Sequence, residues 1–253
     1  MKNAIAALGL AAVVALMPGA LAAQEVDAEL QAEAQPAVTT TTPTGMEAAA
    51  KPCELHVWPT ENYLGIKMGL LSGFGAVGAL ADQARTKGSV ATIKDLMRDY
   101  LGPDVQMAEL ERLDYVGKLG LETGRYEIIV HEPTPWNEDL KKNPTLKEEV
   151  KALNQKIKAG QRITDSTAPC YAELITTHIF YHKAMMYGSN LFTGWNWRQF
   201  DGAKLVSEGK GQVKNPLENF PPKDETMVEA AQIELRDAYA KDFDEWVVKK
   251  SGA

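Results

Sequence analysis

Cysteine is scarce. Two residues in 253 exclude a disulfide-built scaffold and a four-cysteine zinc site. There are four histidines and six serines. None falls in an H-E-x-x-H pair or a G-x-S-x-G elbow, so the standard zinc and serine hydrolase classes have no footing. Positive charge is in deficit, with 27 Lys and Arg against 34 Asp and Glu, a net charge of -7 and a pI of about 5.3. That excludes the basic stripe a nucleic-acid partner needs. No internal repeat is present. Hydrophobic residues at 45% and charged residues at 24% leave a globular chain.

What is present begins with an address. Lys2 supplies a positive start, Ile5 to Met17 an apolar run, and Ala20-Leu21-Ala22 a small-residue cleavage site. This three-part pattern predicts a cleaved secretory signal peptide over 1–23. The run is shorter than the roughly 20 residues of a permanent span. The A-x-A site is of bacterial type, so the expected location is periplasmic or secreted, with outer-membrane association as a further expectation. Residues 24–52 carry no aromatic residue, a Thr run and prolines at 36, 43 and 52. Such a stretch cannot bury enough apolar area to offset its ordering entropy, and it predicts a disordered linker. The folded part is then 53–253, one domain.

Within it, periodicity predicts strands and helices in alternation. Cys53–Trp58 reads as a strand stopped by Pro59. Ser89–Leu101 reads as a helix capped by Ser89 and ended at Gly102-Pro103, and a second helix follows over about Gln106–Leu119. Tyr126–His131 (YEIIVH) reads as a strand. Pro144–Ala159 reads as a helix with Thr145 and Glu148 as its capping box. Its narrow stripe of Leu146, Val150, Leu153 and Ile157 suits a helix lying on a surface. Tyr171–Ala184 and Leu191–Phe200 read as a hairpin, Leu205–Val213 as a short second one. Asp224 caps a closing helix with Val228, Ala231, Leu235, Tyr239 and Trp246 inward. The expected class is α/β in the α+β sense: a mixed sheet of four or five strands with helices packed on it.

Several patterns bear on function. Gly73-Phe-Gly-Ala-Val-Gly78 matches G-x-G-x-x-G. A dinucleotide turn must follow a strand directly, and the acid at the right distance, Asp99, falls inside the Ser89–Leu101 helix. No cofactor is expected. Gly65, Gly69 and Gly73 recur every four residues, which on a helix lines them on one face. They are the expected contact for a membrane surface or an oligomer, the alternative being packing within the domain. Cys53 and Cys170 each open a predicted strand, and in an oxidising compartment a disulfide across about 117 residues is expected.

His178 and His182 stand about 13 Å apart along a strand, too far for one metal. His56 and His131 end two other strands and leave a cross-strand site open, but no metal is predicted. Glu54, Glu127 and Glu173 lie in strands, each a solvated carboxylate unless buried. No catalytic residue is assigned. Trp195 and Trp197 share a strand face that Tyr181 joins across the hairpin. Exposed, they would form a ligand face for sugar rings; buried, they are core.

The order of elements, carried by Cys53–Pro59, Leu119–Val130 (LGLETGRYEIIV), Tyr171–Tyr181 and Trp195–Phe200, resembles the small α/β envelope modules of the TolB N-terminal and CsgG type. The likeness covers about half the chain and is one of topology, so no functional residue is carried over. The chain departs from it by its Gly-rich insertion, its long Glu132–Pro169 connection and the lack of a lipidation cysteine. The resemblance implies a non-enzymatic envelope module acting through protein or membrane-surface contacts, partnered by envelope proteins or by itself. A periplasmic glycan binder using the tryptophan face, and an envelope hydrolase, are the rival expectations.

Overall fold

The chain folds around a strand that the rest of the sheet is built upon. The computed structural model describes residues 52–68, 92–184 and 188–250. The expected leader and the expected linker up to residue 51 lie outside these, as do Ser89 and the Gly73–Gly78 motif.

The strands are β1 (Cys53–Trp58), β2 (Tyr63–Met68), β3 (Tyr126–Val130), β4 (Cys170–Ala184), β5 (Gly188–Asp201) and β6 (Lys204–Leu217). They form one mixed six-stranded sheet in the order β3-β1-β4-β5-β6. The fifteen-residue β4 carries two parallel neighbours end to end, β1 against Tyr171–Ile175 and β2 against Ile179–Ala184. A bulge between Thr176 and His178 separates them. It resets the alternation, so that Leu174 and Ile179, an odd number apart, both face the core.

The helices are α1 (92–100), α2 (Pro103–Arg112), α3 (Tyr115–Lys118), α4 (Asn137–Lys142), α5 (Pro144–Lys158) and α6 (Val228–Lys250). The expected class is therefore present: a single α+β domain, with one strand more than the upper expectation. Pro103 opens α2, where a missing N–H costs nothing. The expected second helix breaks into α2 and α3 at Asp114, whose φ of 51° ends one helix while its side chain caps the next.

Two expectations about elements are corrected. Gly65 does not stand on a helical face: residues 63–68 are strand, paired with β4. The short hairpin near Leu205–Val213 is one fourteen-residue strand, β6. One of its glycines makes room for α6: a Cβ on Gly209 would overlap the Lys250 side chain. Pro216, which cannot donate to a ladder, sits on this edge strand, where it is tolerated.

One sheet face carries the core. Leu55, Val57, Leu174, Leu191, Trp195 and Trp197 are buried there with Ile93 and Met97 of α1, Leu110 of α2 and Leu235, Tyr239, Phe243 and Trp246 of α6. Each such side chain contributes about 1.5–3 kcal/mol of burial. Trp195 alone meets three rings of α6, with centroids 5.6–5.7 Å away. Asp224 does cap the closing helix, though through a single 3-10 turn at Glu225–Met227.

Candidate functional site

The other face of the sheet takes the alternate residues: Glu54, His56 and Trp58 of β1, Tyr171, Glu173, Ile175 and Thr177 of β4, Asn196, Arg198 and Phe200 of β5. The polar ones are organised from the middle outward. Glu173 and Arg198, directly opposite on β4 and β5, form an ion pair at 2.7 Å with both side chains buried. Glu173 also accepts from the Tyr171 hydroxyl at 2.8 Å and the Ile163 amide at 2.6 Å. Arg198 donates to the Gln161 carbonyl. Arg162 lies over the Tyr171 ring and donates to the carbonyls of Ser166, Ala168 and Gly202. These bonds hold loop 159–169 against the sheet, and they engage one of the three strand carboxylates considered for acid–base work.

Next to them lies a carboxylate–imidazole–imidazole chain. Glu54 Oε2 is 2.9 Å from His56 Nε2, and His56 Nδ1 is 2.6 Å from His131 Nε2. The parallel pairing of β1 with β3 brings these histidines together across 75 residues of sequence. Partial burial pushes the Glu54 carboxyl up. Hydrogen bonds from Ser166 and His56, with the charges of His56 and Arg162, overcome this and hold it below the usual range. Burial first, and His56 second, push His131 down, which favours its neutral form. The Trp58 indole stacks on the His131 ring, 4.2 Å between centroids and 6° from parallel.

Trp58 also belongs to a cavity of about 290 Å³. One wall is the sheet, through Trp58, Ile175, Thr177 and Asn196. The other is the α4–α5 hairpin, through Leu140, Val150, Leu153 and Ile157. The sequence stripe on α5 therefore points at a gap, and no residue of α4 or α5 is buried. Asn143 caps α5 by accepting from the Leu146 amide, in place of the expected Thr145.

The sequence-predicted site residues fall as follows. Cys53 and Cys170 are bridged, with Cα atoms 4.8 Å apart. Trp195, Trp197 and Tyr181 are 1%, 0% and 0% exposed, so the expected ligand face is core, sealed by α6 and Phe220. Gly65 lies in β2 opposite Tyr181, which removes it from any helical stripe; Gly69 and Gly73 lie outside the described residues. His178 bonds to Gln212 and Thr177, far along β4 from the His56–His131 pair. Glu127 is exposed on the edge strand. Among the described residues no group of three His, Cys, Asp or Glu side chains could hold a metal ion.

The sequence reading missed the cavity. Its signal was present in the α5 stripe and in the parity of Trp58 with Glu54 and His56. Only the return of the chain after Pro144 across that face joins the two.

No family model and no curated protein matches the chain. Among solved structures, a hypothetical protein of Chlamydia trachomatis, CT253, is similar at 11% identity, with 80% of this chain and 97% of that one covered. The TM-score is 0.31, too low to bear on fold or function.

Proposed function

We propose that this chain is an exported bacterial envelope protein that acts by contact with other envelope molecules, or with copies of itself, and not by catalysis. The observation that carries the reading is the Cys53–Cys170 bridge between the ends of β1 and β4. Disulfides of this kind persist in oxidising compartments and are rare in the cytosol. The predicted leader over 1–23 agrees with it. Among the described residues no helix is long and apolar enough to cross a membrane. The resemblance to TolB N-terminal and CsgG-like modules supports a role in assembly. So does the inward use of Glu173, Arg198 and Arg162 as structural ties.

The test is fractionation of the host, with thiol alkylation before lysis and a native size measurement on each fraction. A cleaved, unalkylated protein outside the cytoplasm, in a species larger than one chain, is expected. An alkylated, cytoplasmic protein overturns export. An exported protein that runs as a lone monomer overturns the contact role.

One observation favours a second reading, an envelope hydrolase: the Glu54–His56–His131 chain has the geometry of a proton relay. Turnover of envelope esters or glycans that vanishes in His131→Ala would establish it.

A further inference from the structure

We infer that the cavity beneath α5 is a binding site for a small, uncharged molecule with an apolar body and a hydroxyl or amide group. Three features point there. The first is charge. The cavity is lined by eight apolar or aromatic residues and six that are Asn or Thr, with none ionisable. A chain in which 24% of residues are charged has kept every charge off this surface. An ion placed there would lose its hydration with nothing to replace it, so the occupant is neutral.

The second is the mismatch between α5 and what it faces. Val150, Leu153 and Ile157 point across the gap at Trp58 and Ile175, yet none of the three helix residues is buried. Apolar walls that line a gap give up part of their mutual contact. Elsewhere the same sheet is closely packed, with Leu55, Leu174 and Trp197 wholly buried. The groove on the α6 side, near Asn215, has charged residues in its lining instead.

The third is the rigidity of its floor. The Glu173–Arg198 pair holds the Ile163 amide, and Ile163 lines the cavity. Thr134, also in the wall, bonds to Thr60 and to the Thr176 carbonyl. Trp58 is stacked on His131. The sheet side is thus preformed, while no residue of α4 or α5 is fully buried. The volume equals about ten liquid-water molecules, which suits a ligand at the small end of the usual range. Asn154 on α5 and Asn196 on β5 offer amides from both walls. The alternative polar surface, the groove along α6 near Asn215, includes Glu234, Asp237 and Lys241 and would select a charged partner.

The probe is N-phenyl-1-naphthylamine, an uncharged fluorophore with one N–H. It is compared with 8-anilino-1-naphthalenesulfonate, the same ring system bearing an anion, on the full chain lacking only residues 1–23. Saturable fluorescence enhancement is expected for the neutral probe, with at least tenfold weaker binding of the sulfonate. Leu153→Arg puts a charge in the cavity from a half-exposed position on a helix with no fully buried residue, so the fold should survive. It should weaken the neutral probe at least tenfold, whereas Lys151→Ala on the same helix leaves it unchanged. No saturable enhancement, equal affinity for both probes, or indifference to Leu153→Arg each overturns the inference. Circular dichroism of Leu153→Arg separates lost binding from lost structure. If it unfolds, Asn196→Asp supplies the charge from the sheet wall and must weaken the neutral probe to the same extent.

Discussion

The two faces of one sheet are made from alternate residues of the same strands, and they are put to opposite uses. On the α6 side, Trp195 and Trp197 are buried with Leu55, Leu174 and Leu191 in a continuous apolar core. On the α5 side the neighbours of those residues, Asn196 and Arg198, meet Glu173, His56 and a cavity. The helices differ to match. Eight residues of α6 are buried and none of α5. The difference teaches that one face is closed into core while the other keeps polar ties and a cavity. A change on one face should be felt as unfolding, and on the other as altered binding.

The largest expected effect comes from the tie that serves both faces. Replacing Cys53 and Cys170 with Ala frees a separation of 117 residues and should cost about 4–5 kcal/mol, read as a lower denaturation midpoint under oxidising conditions. Next is the one point where the α5 side resembles a core. Glu173→Ala leaves the buried Arg198 without a counter-charge and should cost about 3–5 kcal/mol in urea unfolding, which would blur the contrast locally. A matched pair sharpens it: Leu235→Ala on α6, fully buried, should cost about 2–5 kcal/mol, and Leu153→Ala on α5 within about 0.5 kcal/mol.

Between these lies a pH effect on the core side. Asp242 of α6 is buried, and burial pushes its carboxyl up to about 7, against hydrogen bonds from Asn215 and Thr193 that pull it down. The folded state then holds a proton that the unfolded chain releases near pH 4. The stability that Asp242 contributes should be greatest below pH 4, fall as pH rises to about 7 at up to about 1.4 kcal/mol per unit, and level off above. In Asp242→Asn this slope should vanish from a series of unfolding curves between pH 4 and 8, while the α5-side probe still binds.

Much of the fold was legible in the residues. Cys53–Trp58 forms the strand its alternation predicts, α5 begins at Pro144 as expected, and β4 runs from Cys170 through the β-prone Tyr171–Ala184. These elements are decided locally, by Pro, Gly and periodicity. What misled was spacing with more than one reading. Gly65 counted with Gly69 and Gly73 as a helical face because they recur every four residues, but Tyr63–Met68 is held as strand by β4. Leu205–Val213 reads as a short hairpin, yet it lies in one strand whose Gly209 leaves room for Lys250. The site was less legible. His56 and His131 are 75 residues apart, and no local signal says that their strands pair.

The sequence by itself determined the class, the strands that carry the cysteines, and the alternation that puts Trp195 and Trp197 on one side and Asn196 and Arg198 on the other. Period two sorts residues into faces without saying which face is covered. That choice belongs to the tertiary structure. The 23-residue α6 comes back across the tryptophans and makes them core, while α5 stands off the opposite face and leaves a cavity. Burial is a property of what returns to a surface, and the returning segment lies tens of residues away.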